Sequence, residues 1–325
     1  MRTGGVLRHQ SAFCGGFFGF LSEMGFAPFW LPRWMKRSST GRPRLAVVTC
    51  IKNEGEDLVE WLCFHRHIGV SRFVVYDNLS TDATARILES VPFRKDIALH
   101  KVAEESAQKF AFRDAIRRYS GVLDWAAFID GDEFIVPLGE ASIIDRLAEL
   151  ETRGVNGFGV HWRIFGSSGH KSRPPGLITE TFTRRAPDAF SPNRHVKSVV
   201  RMSAIESMVT QHYFRVRGNY LLDDGSRPGP DFEGIGEQAS FSQGFALHHY
   251  ITKSHEQCMR KIARGRPRPS NSKTKFRPPD YWTRYNRNDV EDSRAAQVIA
   301  PIRDDVLELR QQIERATRTE ADDRG

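Results

Sequence analysis

The stretch Trp125-Ala-Ala-Phe-Ile-Asp130-Gly-Asp132-Glu133-Phe134 governs the reading of the whole chain. An apolar run of strand length, Trp125 to Ile129, delivers two aspartates separated by one glycine, with a third acid directly behind. Alternate residues of an extended chain face the same way. Asp130 and Asp132 can therefore point at one spot, while Gly131 gives the backbone freedom to turn there. Two hard oxygen ligands, completed by waters and phosphate oxygens, are the usual grip on Mg²⁺ or Mn²⁺ at a nucleotide substrate. Asp-Gly-Asp alone is also ordinary turn chemistry, so the surrounding elements must separate the two readings.

Upstream, Leu45-Ala-Val-Val-Thr-Cys50 is a continuous β-type run, as expected of a strand covered on both faces. It ends at Lys52-Asn53-Glu54, and a helical stripe of Leu58, Trp61, Leu62, His65 and Ile68 follows. Arg72 to Tyr76 reads as a second strand, closed by Asp77-Asn78-Leu79-Ser80-Thr81-Asp82, where Ser80 or Thr81 can cap the next helix. Ile97 to Val102 gives a third strand, Gln108 to Tyr119 a helix, and Trp125 to Ile129 the fourth strand. This alternation implies an α/β fold with right-handed crossovers and a mostly parallel, Rossmann-like sheet flanked by helices. In such sheets the ligand crevice lies beyond the carboxyl ends of the strands. Lys52 to Glu54, Asp77 to Asp82 and Asp130 to Glu133 all fall at such ends.

The chain has 325 residues, 39% hydrophobic and 11% aromatic, enough for a real core, with a formal net charge of +8. The excess is concentrated: Arg260 to Arg287 holds ten Lys or Arg residues against one acid, Asp280. Such a stretch is either a solvated loop or a surface for phosphates, of nucleotides, nucleic acid or anionic lipid. Cys14, Cys50, Cys63 and Cys258 form no Cys-x-x-Cys pair, which fits reduced thiols and a cytoplasmic setting and gives no support to zinc. Phe13 to Trp34 is aromatic but broken by Glu23 and Pro28, too interrupted for a spanning helix. A poorly ordered leader over residues 1–43 is expected, with peripheral contact at the inner face of a membrane as the alternative.

The second half is mixed. Gly157 to Phe165 and Arg194 to Arg201 are strand-like, Tyr220 to Gly236 reads as an irregular loop, and Phe245 to Tyr250 leads to a helix from about Ser254 to Ala263. A charged amphipathic helix, about Asp304 to Thr317, closes the chain. Six motifs fall in order: Lys52-Asn53-Glu54; Tyr76-Asp77-Asn78-x-Ser80-Thr81-Asp82; Asp130-Gly-Asp132-Glu133-Phe134; Phe165-Gly-Ser-Ser-Gly-His170; His195-x-Lys197-Ser198; and His249-Tyr250-x-x-Lys253-Ser254. Together they resemble the family-2-like glycosyltransferases of the domain-of-unknown-function 23, or glycosyltransferase family 92, group, over about residues 44 to 265.

The resemblance implies a GT-A fold and an inverting, metal-dependent transfer of a hexose from a nucleotide sugar. A UDP-hexose is the first choice of donor, with a glycan, polysaccharide or glycolipid as acceptor. The implied organisation is a nucleotide-binding half (44–137), an acceptor half (138–265), and a basic loop with the C-terminal helix (266–325). Asp130, Asp132 and His249 would hold Mn²⁺ or Mg²⁺, which bridges the two phosphates as a Lewis acid on the leaving group; His248 competes with His249. Lys52, Asn53, Glu54, Asp77, Asn78, Asp82, Asp130, Glu133 and Lys253 would bind the donor, and Lys261 and Arg264 face either diphosphate or solvent. An inverting transfer needs a base beside the acceptor hydroxyl; Glu180 is the first choice among Glu180, Asp223, Asp224 and Glu237. His161, Trp162, His170 and His212 are candidates for the acceptor pocket, with Trp162 stacking on sugar. The pattern departs from the family at Gly131, where an apolar residue is usual. The competing readings are a sugar nucleotidyltransferase, an inactive nucleotide-sugar-binding homologue, and a nucleic-acid binder using Arg260 to Arg287 with Tyr281, Trp282 and Tyr285. The nucleotidyltransferase reading wants a Gly-rich basic loop after the first strand, which Lys52-Asn53-Glu54-Gly55 replaces poorly.

Overall fold

The computed structural model describes residues 41–104, 106–222, 224–241, 244–265 and 277–322. The leader expected over 1–43 lies almost wholly outside them, with its membrane-contact stretch Phe13 to Trp34. Asp223 and the centre of the basic stretch, residues 266–276, also lie outside.

The first strand, β1 (Leu45–Ile51), lies at the centre of a parallel quartet. β2 (Val70–Asp77) pairs with it on one side and β4 (Trp125–Phe128) on the other, and β3 (Ile97–Lys101) extends β2. Its residues from Leu45 to Val48 are at most 1% exposed because α3 (Ala107–Tyr119) packs on β1 while α1 (Leu58–His67) packs on β2 and beside it. That burial explains the unbroken apolar run. The stripe from Leu58 to Ile68 is buried as its spacing predicts.

The remaining strands change direction. β5 (Glu133–Pro137) follows the acidic turn, and after α4 (Ile143–Thr152) comes the long β6 (Val155–Ile164). β8 (Val196–Arg201) inserts antiparallel between β4 and β6, and β12 (Phe245–His249) lies between β6 and β5, antiparallel to β5. The sheet order is thus β3-β2-β1-β4-β8-β6-β12-β5, with β11 (Asn219–Leu222) parallel to β6. Small antiparallel pairs join β7 (Arg184–Arg185) to β13 (Val290–Glu291) and β9 (Ile205–Met208) to β10 (Phe214–Val216). The architecture is α/β with a parallel half and a mixed half, as expected. Tyr220 to Leu222, read from the sequence as loop, belongs instead to β11.

The other helices are α2 (Thr84–Ser90), α5 (Ile178–Thr181), α6 (His255–Arg264), α7 (Tyr281–Tyr285), α8 (Arg294–Ile299) and α9 (Arg303–Asp322). α8 packs on β5 and α9 on α1. α2 begins differently from expectation: neither Ser80 nor Thr81 caps it, and Asp82 Oδ1 accepts from Thr84 N at 3.0 Å instead. α6 is entered through a capping box, with Ser254 Oγ accepting from Gln257 N (3.3 Å) and Gln257 Oε1 accepting from Ser254 N (3.2 Å). That cap fixes the angle at which α6 presents its basic face. No described helix is long and apolar enough to cross a membrane.

Candidate active site

The carboxyl ends of β1, β2 and β4 open on one cavity of about 460 Å³, whose walls include Lys52, Glu54, Asn78, Asp130, Asp132 and His249. The three polar clusters expected at strand ends therefore share one rim.

The turn Asp130-Gly-Asp-Glu133 is held from inside the fold. Asp130 N donates to Glu133 Oε2 at 2.8 Å, and the buried Lys197 on β8 places Nζ 3.1 Å from Asp130 Oδ2 and 3.7 Å from Glu133 Oε2. Gln108 at the start of α3 donates to Asp130 Oδ1. Gly131 serves a different need from the one its spacing suggests. Its φ is not in the left-handed region, but a Cβ there would lie 2.9 Å from Ile51 Cγ2 and 3.3 Å from Glu54 Cγ. The turn is pressed against the end of β1, and the apolar residue usual in the family would not fit without movement.

The antiparallel register of β5 and β12 sets His249 opposite Glu133 and His248 opposite Phe134. Neighbours on a strand point to opposite faces. His249 faces the acids, with Nε2 3.5 Å from Asp132 Oδ1. His248 is fully buried against Phe165, ring centroids 4.5 Å apart. From α6, Lys261 Nζ bonds Asp132 Oδ2 and the Ile251 carbonyl. Arg264 caps the carbonyls of Lys52 and Asn53 and reaches Glu54 Oε1 at 3.2 Å. Arg277 donates to the carbonyls of Lys261 and Gly265 and lies over the Tyr281 ring. Among the described residues of the basic stretch, Lys261, Arg264, Arg277 and Tyr281 thus line the cavity rather than face outward.

Electrostatics separate the three acids. Burial alone would raise the Asp132 carboxyl, but Lys261 and His249 more than reverse this and hold it well below the usual carboxylate range. Glu133, fully buried and close to Asp130, is pushed well above that range despite Lys197. Burial depresses His249, with Asp132 opposing. Burial also works against the charge on Lys197, yet Asp130 and Glu133 hold its ammonium above the ordinary value.

The remaining expected residues have varied placements. Asn53 adopts φ 54° and ties the β1 loop to the β2 loop, its N–H donating to Ser80 Oγ (2.9 Å) and its Oδ1 accepting from Thr81 N (2.8 Å). Asp77 is 3% exposed and accepts from Ser80 N at 3.0 Å, and Asp82 accepts from Gly55 N at 3.0 Å. Both shape the rim rather than line the 460 Å³ cavity. Asn78 lines it with its amide bonded to the Val102 carbonyl. Lys253 stands in an adjoining cavity of about 330 Å³, with Nζ 2.6 Å from Asp57 and 3.4 Å from Glu54. Glu180 stands apart from all of these: its carboxylate accepts from Arg303 Nε at 2.7 Å, and it lines none of the cavities around the acidic turn. His161 is buried and His170 stacks edge-on against Phe182; neither enters the cavities. Lys197 and Gln108 are the contributors that sequence reasoning missed. An isolated lysine inside Val196-Lys-Ser-Val-Val200 was the available signal, because a charge within an apolar strand needs a buried partner.

The family model for glycosyltransferase family 92 matches residues 46–305. The chain belongs to that family. Family 92 proteins of Ricinus communis (32% identical, 54% of this chain and 32% of that protein) and of Oryza sativa subsp. japonica (28% identical, 58% and 32%) are among its relatives. The chain spans about a third of the length of these relatives. A crystal structure of S. aureus TarS in complex with UDP-GlcNAc aligns over 79% of this chain and 71% of that one, at 12% identity and TM-score 0.38.

Proposed function

We propose that the protein is a glycosyltransferase that binds a nucleoside-diphosphate hexose, a UDP-hexose first, in the 460 Å³ cavity and transfers the sugar with inversion to a carbohydrate or glycolipid acceptor. The observation that carries this reading is the convergence of Asp130, Asp132 and His249 with Lys261, Arg264 and Arg277 on one cavity at the strand ends. Its fit to a divalent cation rests on the donor set. Asp132 Oδ1 and His249 Nε2 stand 3.5 Å apart, and their surroundings favour the ionised carboxylate and the neutral ring. Among the described residues no three such side chains converge to hold an ion unaided, so water and phosphate oxygens would complete the shell. Asp132 and His249, with Asp130 beside them, would hold Mn²⁺ or Mg²⁺, and such an ion supplies Lewis-acid stabilisation to a departing diphosphate.

The chain's own residues supply the rest. Lys261, Arg264 and Arg277 lower the cost of gathering phosphate charge at the cavity. The loops Lys52 to Glu54 and Asn78 offer carbonyl, amide and carboxylate groups to base and ribose. Lys197 and Glu133 hold the acidic turn in place from below. The inward-facing cations favour this reading over a nucleic-acid surface. The test is thermal: with Mn²⁺ present, one member of a nucleotide-sugar panel should raise the melting temperature, and Asp132→Ala should abolish the rise. A rise that survives Asp132→Ala would remove the metal assignment, and the absence of any stabilising nucleotide sugar would remove the donor assignment.

A further inference from the structure

Beside the 460 Å³ cavity lies a second of about 360 Å³, and Gln108, Asp130, Ile251, Arg277 and Tyr281 line both. The second is walled by rings, with Trp162, His195, His212 and Tyr285 on the far side from the β1 loop. Trp162 is only 8% exposed, and its ring is taken: His195 stacks on it at 4.7 Å with an interplanar angle of 13°, while His212 and His249 meet it edge-on at 5.4 and 4.6 Å. Its service is to hold histidines rather than to stack on a sugar.

Two of those histidines are fixed in one tautomer. His195 Nδ1 is 2.9 Å from the Pro192 carbonyl, and His212 Nδ1 is 3.0 Å from the Val196 carbonyl. A carbonyl oxygen only accepts, so each Nδ1 carries the hydrogen. In the neutral ring each Nε2 is left as a bare acceptor, and neither Nε2 has a hydrogen-bond partner among the described residues. The His195 backbone is pinned as well, its carbonyl accepting from Trp162 N at 2.9 Å. Nδ1 bound to a carbonyl and Nε2 directed to a reacting hydroxyl is the arrangement a general base requires.

We propose that the ring-walled cavity is the acceptor-sugar site and that His195 is the general base of the transfer, in place of a carboxylate. The proposal rests on the donor reading given above. The acceptor hydroxyl gives its proton to His195 Nε2. Its oxygen forms the new bond to the anomeric carbon as the bond from that carbon to the phosphate oxygen breaks, and the electron pair leaves with the nucleoside diphosphate. Asp130, at the wall common to the two cavities, marks the side from which the diphosphate departs. His195 is preferred to His212 because its ring lies flat on Trp162 while His212 meets that ring only edge-on; burial, with Lys197 adding to the fall, also drives His212 down to about 3. His195 is half-buried and is lowered from the ordinary imidazole value chiefly by burial, with the Pro192 carbonyl opposing and His249, Arg194 and Lys197 adding to the fall. Burial therefore favours its unprotonated form.

The test uses the full chain with Mn²⁺ and the stabilising UDP-hexose, and reads UDP release with water alone and with a panel of free monosaccharides. His195→Asn should keep the thermal shift given by the donor and its KM, and lose kcat by about 10²-fold or more. His195→Gly should recover part of that loss with added imidazole, and His212→Asn should lose less than His195→Asn. The wild-type rate should be level near pH 7 and fall on acidification through the imidazole range. The proposal is overturned if His195→Asn stays within threefold of wild type, if it loses the donor thermal shift together with the rate, or if wild type binds donor yet releases no UDP to any acceptor or to water. A wild type that no nucleotide sugar stabilises sinks the donor reading instead.

Discussion

The cavity bounded by Lys52, Asp132 and Arg264 is rich in charged side chains, whereas its neighbour shares Asp130 and Arg277 with it but adds the rings of Trp162, His195 and His212. The first is stabilised by ion pairs that reach across the chain: Lys197 to Asp130, Lys261 to Asp132, Arg264 to Glu54. The second is stabilised by aromatic contacts and by burial that keeps imidazoles uncharged. A diphosphate needs the first kind of surface and a neutral sugar hydroxyl the second. Under the proposed function, the difference would let one sheet mouth serve a charged donor and a neutral acceptor side by side.

The comparison breaks hardest at Asp132. Asp132→Asn keeps the shape but removes the ionised carboxylate, and UDP release should fall by several kcal/mol in activation terms, about 10³-fold or more. Steady-state kinetics check it, with circular dichroism confirming an unchanged fold. Lys197→Met comes next. It leaves Asp130 beside Glu133 without its buried cation, and urea unfolding should report a loss of about 3–5 kcal/mol. Glu133→Gln added to Lys197→Met should restore little, since burial already favours the protonated Glu133 and Asp130 is still without its buried cation.

Acid acts on the fold behind the two cavities, through histidines that line neither of them. His161 and His248 are buried, the ring nitrogens of His248 lack partners among the described residues, and burial pulls the two down to about 4 and about 3. Their folded values lie below the unfolded ones, so the stability they contribute is present above about pH 6.5 and is lost as pH falls toward the folded values. One such group accounts for about 2 kcal/mol by pH 5, at about 1.4 kcal/mol per pH unit. His248→Leu should therefore flatten the fall in the urea midpoint between pH 7 and 5. The smallest effect concerns Gly131. Gly131→Ala presses a methyl on Ile51 and should cost about 1 kcal/mol, and Ile51→Ala in the same chain should recover part of the Gly131→Ala loss by making room.

The charged side was the more legible of the two because its chemistry is local. Apolar runs end at Cys50, Tyr76 and Ile129, and polar clusters follow within one to three residues, so strand polarity alone gathers them at one rim. Gly131 read from the sequence as freedom to turn, whereas the close approach of Ile51 is what leaves no room for a side chain there. The ring side assembles from β6, the entry to β8 and the loop around His212, and the β6–β8 pairing is antiparallel and joins residues distant in sequence. Nothing in the spacing of His195 announces that the Pro192 carbonyl fixes its tautomer or that Trp162 lies against it. Glu180 illustrates the converse: a carboxylate in the right half of the chain lies beside Arg303, a partner 123 residues away.

The central claim is that paired acids at the mouth of the sheet grip a cation so that a diphosphate can leave. The most direct measurement is the anomalous difference map of crystals grown with Mn²⁺ and UDP. A manganese peak within ligand distance of Asp132 and His249, with the diphosphate against Lys261 and Arg264, is the expected result. Diphosphate bound elsewhere, for example among Arg163, Arg185 and Arg294 on the 750 Å³ surface cavity, with no peak at Asp132, would contradict it.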